Sequence, residues 1–242
     1  MNTNPTENTT NTSETEMLTN IISRVSNLFY ETIFIVDVAD GKITYLPPKS
    51  GLAKMLIAEE SDISTLSQLM YRLGKTKTDK FTQVLKAIKT FYNESAPEER
   101  NDILFVFDMP FHINDLRHST LTIKFTPFAE DSNHSLSRLL YTLSMSSGTH
   151  PETLHSLNTL TSERSQYYFT TKRWSNSSTY VLTEIERHVL CLSAEGLSVP
   201  EISEVIYRAQ DSVKSIRKRI FEKLGARNIT EAIIYATNYK II

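Results

Sequence analysis

The stretch Arg208–Gly225, RAQDSVKSIRKRIFEKLG, concentrates positive charge in a chain that is slightly acidic overall. It holds six basic and two acidic residues, whereas the 242-residue chain has a formal net charge of −2. Its apolar residues recur at helical spacing and predict one buried stripe, formed by Val213, Ile216, Ile220 and Leu224, with Phe221 beside them. Because the surface as a whole is not basic, a nucleic-acid site would have to be a local patch such as this one.

Three basic residues of this helix, Lys214, Arg217 and Lys218, are spaced at i, i+3 and i+4. The spacing predicts that they share the face opposite the apolar stripe, where their charges repel one another. A polyanion would relieve this repulsion, and the major groove of DNA admits a helix of this kind. The alternative interpretation is a basic face that is merely solvated. The helical context described next favours DNA binding.

Three helix starts near this stretch carry the same capping pattern, in which a short polar residue precedes Glu by three positions. The pairs are Thr183 and Glu186, Ser198 and Glu201, and Asn228 and Glu231. Gly196 and Gly225 stand where helices end in a left-handed residue. Together these signals predict four short helices, over 183–195, 199–206, 210–224 and 229–239. The second and third are joined by only a few residues, which is the spacing of a helix-turn-helix.

The segment from Leu182 to Ala236 resembles the LuxR-type DNA-binding domain along its full length. The matching elements are Leu182-Thr183-Glu184, Glu195-Gly196-Leu197-Ser198, Glu201-Ile202, Ser212-Val213-Lys214, Lys223-Leu224-Gly225, Arg227-Asn228 and Thr230-Glu231-Ala232. The resemblance implies that bases are contacted by Lys214, Ser215 and Lys218. As a further hypothesis, we assign the DNA phosphates to Gln210, Ser212, Arg217 and Arg219.

Some residues depart from the family pattern. Ala209 stands where Ser commonly caps the recognition helix, which weakens that cap by about 1 kcal/mol unless Asp211 or Ser212 substitutes. Asp211 also brings a negative charge near DNA, although a helix N-terminus favours it. Val199-Pro200 replaces a usually polar pair, so we expect modest affinity and a homodimer. The last helix, EAIIYATNYKII, either pairs with a copy of itself, as family members generally do, or packs on the first helix.

The N-terminal part of the chain carries a different pattern of strands and helices. IFIVDVADGKITYL, residues 33–46, predicts a hairpin because Asp40-Gly41 separates two β-branched and aromatic runs. Short helices are expected over 50–92, followed by three strand-like runs over 102–113, 119–129 and 135–146. This order predicts a five-stranded antiparallel sheet with helices on one side. It resembles a PAS-type sensor domain, and an amphipathic helix starting at Met17 is expected to cap it or to dimerise.

The predicted fold class is α+β, with a PAS-like antiparallel five-stranded sheet and its helices joined to an all-α four-helix LuxR-type helix-turn-helix domain. The predicted domains are a disordered tail (1–16), a PAS-like sensor or dimerisation domain (17–148), an extra β-hairpin with a linker (149–180) and the DNA-binding domain (181–242). The tail has almost nothing apolar to bury. The linker is short and polar, so the two domains are expected to fold separately.

These patterns predict a cytoplasmic, sequence-specific transcriptional regulator whose N-terminal domain senses a signal or mediates dimerisation. Its expected partners are double-stranded DNA, a second copy of the chain and RNA polymerase. Two alternatives replace the sensor with a degenerate phosphoacceptor receiver or with a partner protein. The receiver is disfavoured, since consecutive strands argue against a parallel α/β sheet. A third alternative is an anti-activator that never contacts DNA.

No enzyme, metal site or membrane span is predicted, because the sequence has no Gly-rich phosphate loop, no metal-ligand spacing and no long apolar run. Cys191 and His188 are interpreted as structural residues. The remaining histidines considered are interpreted as solvated loop residues: His112, His118, His150 and His155. No cofactor is predicted, and a small-molecule ligand of the PAS-like core is left open. The aromatic residues that would form pocket walls, or plain core, are Phe105, Phe107, Phe125 and Tyr141.

Overall fold

The structure of the chain, a computed structural model, describes residues 17, 20–22, 24–25, 32–45, 65–69, 78–111, 119–147, 152–177 and 182–242. Its strands are β1 (Thr32–Asp37), β2 (Ile43–Tyr45), β3 (Ile103–Phe111), β4 (Ser119–Glu130), β5 (Leu136–Ser147), β6 (Thr153–Asn158), β7 (Arg164–Tyr168) and β8 (Arg173–Asn176). Its longer helices are α1 (Thr78–Glu94), α2 (Glu184–Ala194), α3 (Val199–Val205), α4 (Gln210–Leu224) and α5 (Ile229–Asn238). The predicted tail and the histidines His112, His118 and His150 lie outside the described residues.

The eight strands form one antiparallel sheet in the order β2-β1-β5-β4-β3-β6-β7-β8. The first five strands of the chain lie next to one another in it, which confirms the predicted antiparallel sheet with helices. The predicted hairpin between β1 and β2 is also present, with Gly41 at φ 70° and its N–H donating to the Asp37 carbonyl at 3.0 Å. No described strand pair is parallel, so the alternative of a receiver domain is wrong.

The sheet is larger than predicted because the expected extra hairpin continues it. β6 pairs with β3, and β7 and β8 follow in the same sheet. The second predicted strand of that hairpin is split by a turn, in which Lys172 has a φ of 54° and donates its N–H to the Tyr168 carbonyl at 2.7 Å. Trp174 of β8 then donates its indole N–H to the Ala87 carbonyl of α1 at 3.3 Å. The predicted domain boundaries themselves stay a prediction.

One face of the sheet packs against α1 and forms the first core. Phe81, Val84 and Ile88 of α1 are buried on the apolar stripe expected from the sequence. The four aromatic residues considered as pocket walls lie in this core: Phe105, Phe107, Phe125 and Tyr141. Burial raises the pKa of Tyr141, whose hydroxyl has no hydrogen-bond partner within the described part of the chain.

The opposite face of the sheet contributes to a second core, which it shares with the C-terminal helices. Side chains of β3 alternate between the two cores, as successive residues of a strand point to opposite faces. Phe105 and Phe107 belong to the first core, whereas Leu104 and Val106 belong to the second. Leu157 of β6 joins the second core, together with apolar residues of α2, α3, α4 and α5. The two faces of one sheet therefore serve the two halves of the chain.

His155 lies on β6, so its interpretation as a solvated loop residue is wrong. It is 5% exposed, and burial, together with the nearby charge of Arg164, lowers its pKa to about 4. The sequence places His155 near an expected turn, although within the segment of the expected extra hairpin. The C-terminal helices that cover this face are remote in sequence, so the burial of His155 could not be predicted from its neighbours.

The N-terminal amphipathic pattern is helical where the structure describes it. Residues 20–22 and 24–25 are helical, and Ile22 packs against Ile33 and Ile35 of β1. This contact agrees with the expected cap on the sheet. The choice between a cap and a dimerisation helix stays open, because a single chain presents only the first of these contacts.

Candidate nucleic-acid interface

The helix-turn-helix begins and ends at residues predicted from capping patterns. At the start of α2, Thr183 Oγ accepts from the Glu186 N–H at 3.4 Å, and the Thr183 N–H donates to the Glu186 carboxylate at 2.8 Å. At the start of α3, the Glu201 carboxylate accepts from the Ser198 N–H at 2.7 Å and from the Ser198 hydroxyl at 2.6 Å. α4 is followed by Gly225 at φ 65°. Local sequence therefore determines these helix ends.

The third predicted capping box, at the start of α5, differs from expectation in its second half. Asn228 Oδ1 accepts from the Glu231 N–H at 2.9 Å, as predicted. The Glu231 carboxylate, however, accepts from the N–H of Arg227 at 2.8 Å, one residue further back than expected. The Arg227 guanidinium also lies 3.3 Å from this carboxylate, which adds an ion pair to the contact.

α4 is the second helix of the helix-turn-helix, and its predicted apolar stripe faces inward. The buried residues of this helix are those expected from the spacing: Val213, Ile216, Ile220 and Leu224. Ala209 supplies no side-chain hydrogen bond to the first turn, so the predicted weakness of this cap is present. The preceding turn holds Tyr207 at φ 52°, with its side chain 95% exposed.

The three residues predicted to contact bases lie together on the solvent side of α4. Lys214, Ser215 and Lys218 are all exposed. The Lys214 ammonium lies 3.0 Å from the Asp211 carboxylate, and the Lys218 ammonium lies 4.0 Å from Glu222. Ion pairs this open to solvent contribute only about 0–1 kcal/mol. DNA can therefore displace both carboxylates at little cost.

The residues assigned to phosphates occupy two different environments. Gln210 is exposed at the start of α4, and Ser212 and Arg219 line an open cleft of about 350 Å³ together with Arg208. Two guanidinium groups in one cleft favour an anion there, and the cleft is also lined by the Asp211 carboxylate, which offsets part of this charge. These three assignments are compatible with the geometry and stay predictions.

Arg217, the fourth of these residues, turns toward α2 instead of solvent. Its guanidinium donates to the Ser193 hydroxyl at 2.9 Å and to the Leu197 carbonyl at 3.3 Å. Burial lowers the pKa of Arg217, and its Nε has no hydrogen-bond partner among the described residues. Arg217 follows the buried Ile216 by about 100° of helical rotation, so it lies at the border of the apolar stripe. This placement favours a structural contact, while its phosphate role stays a prediction.

Glu186 was identified from the sequence only as a helix cap, but it also joins two helices. Its side chain is 3% exposed, accepts from the Lys223 ammonium at 2.6 Å and lies 3.5 Å from the Arg219 guanidinium. Burial acts to raise the pKa of Glu186, but hydrogen bonds from Lys223 and Thr183 outweigh it and hold the pKa below its usual range. One buried carboxylate thus connects the start of α2 to α4. No sequence spacing signals this contact, since it depends on how the two helices pack.

Other classes of site can be assessed for the part of the chain that the structure describes. No cluster of three or more His, Cys, Asp or Glu residues there could hold a metal ion. The same residues include no helix with the length and apolar character needed to cross a membrane. Cys191 is a free thiol on α2 and is partly exposed.

Comparison with known proteins gives matches to the C-terminal segment and to whole chains. Residues 180–236 match the model of the family described as bacterial regulatory proteins, luxR family. A curated relative, the DNA-binding transcriptional activator DevR/DosR of Mycobacterium tuberculosis, is 37% identical over 59 residues, which span 24% of this chain and 27% of the relative.

Two solved structures align over most of the chain at low identity. The phage VqmA-DPO complex is 14% identical, with coverage of 96% of this chain and 91% of its own and a TM-score of 0.34. The Vibrio cholera VqmA-Ligand-DNA complex is 15% identical, with coverage of 86% and 82% and a TM-score of 0.29.

The family match coincides with the segment that the capping patterns and core spacing single out. It contains α2, α3 and α4 in full, which are the helices that place Lys214 and Lys218 on one exposed face. The resemblance seen from Leu182 to Ala236 is thereby confirmed. The C-terminal segment of this chain is a helix-turn-helix domain of the LuxR family of bacterial regulatory proteins.

Proposed function

We propose that this chain is a transcriptional regulator that binds double-stranded DNA through the solvent side of α4. The observation that carries the proposal is an exposed basic face on the second helix of a capped helix-turn-helix. The apolar stripe of that helix is buried, so the exposed Lys214 and Lys218 are left for a partner. The matching family consists of regulatory proteins and is not an enzyme family.

The residues of α4 are proposed to divide between two kinds of contact. Lys214, Ser215 and Lys218 contact base edges, where a Lys paired with guanine provides about 1–3 kcal/mol of discrimination. Gln210, Ser212 and Arg219 bind phosphates and fix the position of the helix in the groove. Arg217 is proposed to hold α4 against α2 through Ser193 and Leu197, in place of the phosphate contact expected from the sequence.

Lys218→Ala and Arg219→Ala are expected to act differently on DNA binding. Loss of Lys218 removes a base contact and reduces the preference for a selected site over random DNA by about 1–3 kcal/mol. Loss of Arg219 removes a phosphate contact, so it weakens binding to all sequences alike and lowers the salt slope by about one. Titrations of the full chain at several salt concentrations measure both effects.

The DNA for these titrations is a duplex enriched from a randomised pool by the wild-type chain, compared with a random duplex. Arg173→Ala is the matched control, because it removes an exposed cation from β8, outside the helix-turn-helix. Equal losses on both duplexes for Lys218→Ala and Arg219→Ala would contradict the division of roles. A wild-type chain with no salt-dependent DNA affinity would favour the anti-activator.

The N-terminal sheet is proposed to sense a signal or to join two chains in a homodimer, with RNA polymerase as a further partner at the promoter. The buried Tyr141 hydroxyl supports a ligand, because it has no partner among the described residues, such a group is uncommon in a core, and a ligand atom could pair with it. Native mass spectrometry of the purified chain measures both the dimer and any bound small molecule. A ligand-free monomer would favour control by a partner protein.

A further inference from the structure

Directly after the C-terminal end of α5, the buried residue Tyr239 contacts the sheet. Its side chain is 3% exposed, and its hydroxyl donates to Asp108 Oδ2 on β3 at 2.7 Å. Its main-chain carbonyl accepts from the Arg164 guanidinium on β7 at 2.9 Å. Two polar contacts from one residue to two strands restrict both the position and the rotation of α5 on the sheet.

The groups around Tyr239 are themselves held in place. Thr122 of β4 donates its hydroxyl to Asp108 Oδ1 at 2.6 Å, which orients the carboxylate toward Tyr239. The His155 ring meets the Tyr239 ring edge to face, with centroids 5.3 Å apart. Tyr235, one turn earlier on α5, stacks on Tyr239 at 4.3 Å. We call Asp108, Thr122, His155, Arg164 and Tyr239 the Tyr239 junction.

Apolar residues surround the buried members of the Tyr239 junction, while Arg164 is partly exposed. Leu104, Val106 and Leu157 of the sheet belong to the same buried cluster as Tyr239 and Ile241. Apolar contact alone would tolerate sliding of one surface over the other, because it has no direction. Buried polar groups must keep their partners, since an unpaired one costs free energy. The combination fixes one arrangement of the helices on the sheet.

The DNA-contacting face remains open in this arrangement. The side chains of Lys214 and Lys218 are 64% and 79% exposed. The Tyr239 junction therefore does not cover the residues proposed to bind DNA. A contact that leaves the binding face free is suited to positioning the domain rather than to blocking it.

We infer that the Tyr239 junction orients the DNA-binding domain on the sheet, so that in a dimer the sheets set the distance between the two recognition helices. This inference rests on the proposed function. Two inverted half-sites lie about 34 Å apart, so a fixed orientation prepares both helices for simultaneous binding. A released domain would still bind one half-site, but the second binding step would lose its geometric advantage.

The test uses full chains carrying Tyr239→Phe, Asp108→Asn or both, with Tyr168→Phe as the control. Tyr168 is a half-exposed tyrosine of β7 outside the Tyr239 junction. Hydrogen exchange of β6 and of residues 239–242 is expected to accelerate about tenfold or more in either single variant, because a hydrogen bond to a charged acceptor is lost. The double variant should exchange like Tyr239→Phe, since both lack the Tyr239 hydroxyl, whereas Asp108→Asn removes the carboxylate but keeps an amide oxygen that can accept from Tyr239.

DNA binding supplies the second measurement. Both single variants should bind a two-half-site duplex, enriched by the wild-type chain, about tenfold more weakly, while affinity for the same duplex with one half-site scrambled stays within about twofold. Thr122→Val, which loosens Asp108 without changing the C-terminal domain, should act in the same direction if Tyr239→Phe fails to fold.

Three results would overturn the inference: unchanged exchange and unchanged DNA binding, equal losses on both duplexes, or tighter binding by the variants. Equal losses would mean that the contact merely supports the fold of the domain, and tighter binding would mean that it is inhibitory. If the wild-type chain enriches no sequence, the proposed function fails. Exchange rates would then still report on the Tyr239 junction, so the two failures are distinguishable.

Discussion

The solvent side and the inward side of the C-terminal domain carry similar charged residues in different states. On the solvent side, Lys214 and Lys218 have carboxylate neighbours that are themselves exposed. On the inward side, Glu186 is almost fully buried, and Arg217 is bound to the end of α2. The difference shows that burial decides which charges are available to a partner. Exposed pairs can exchange for DNA, while buried ones are committed to the fold.

The largest expected effect is on the inward side. Glu186→Ala removes a buried carboxylate that caps α2 and binds Lys223, and we expect it to lower the free energy of unfolding by about 2 kcal/mol. The partly exposed partner can regain water, so the loss stays below that for a fully buried pair. Glu222→Ala, on the solvent side, should change it by at most about 0.5 kcal/mol. Urea unfolding of both variants measures the difference, and similar losses would remove the distinction between the two sides.

The residues on the solvent side could be predicted from the sequence, whereas many contacts on the inward side could not. The exposed position of Lys214 and Lys218 follows from helical spacing and capping, which are local properties. The contacts of Arg217 and His155 depend on segments that are distant in the chain and meet only after folding. The succession of β1 to β5 along the chain could be predicted from their β-branched and aromatic runs, but the pairing of β6 with β3 could not. The local sequence of a strand does not indicate which edge of the sheet a later segment will pair with.

The pH dependence of stability provides a second test of the inward side. His155 has a pKa of about 4 in the fold and about 6.5 when unfolded, because burial disfavours its charged form. The groups facing it are Arg164 and Tyr239. The contribution of His155 to the free energy of unfolding is complete above pH 6.5 and is lost as the pH falls toward 4.

Between pH 7 and pH 5.5 this group should account for about 1 kcal/mol of lost unfolding free energy. Unfolding titrations at both pH values, compared with His155→Gln, isolate this part from other acid effects. The same pH slope in the wild type and in His155→Gln would show that His155 is not buried as the structure places it.

The smallest expected effect concerns Arg217, where the two sides meet. Arg217→Ala should reduce the free energy of unfolding by about 0.5–1.5 kcal/mol through the lost hydrogen bonds to Ser193 and Leu197. The salt slope of DNA binding should stay unchanged, in contrast to Arg219→Ala. Binding titrations at several salt concentrations decide between these roles. A slope lowered by about one with unchanged stability would restore the phosphate contact expected from the sequence.

The alternation of β3 between two cores constrains how this chain can vary. Substitutions in β3 are tolerated when each position keeps a side chain that suits the core on its own face of the sheet. A one-residue insertion within it would turn Phe105 and Phe107 toward the C-terminal helices and Asp108 toward α1. Such a change would disrupt both halves of the protein at once. The loops and surfaces of the two domains can therefore diverge freely. In β3, however, the same alternation of side chains must suit both domains.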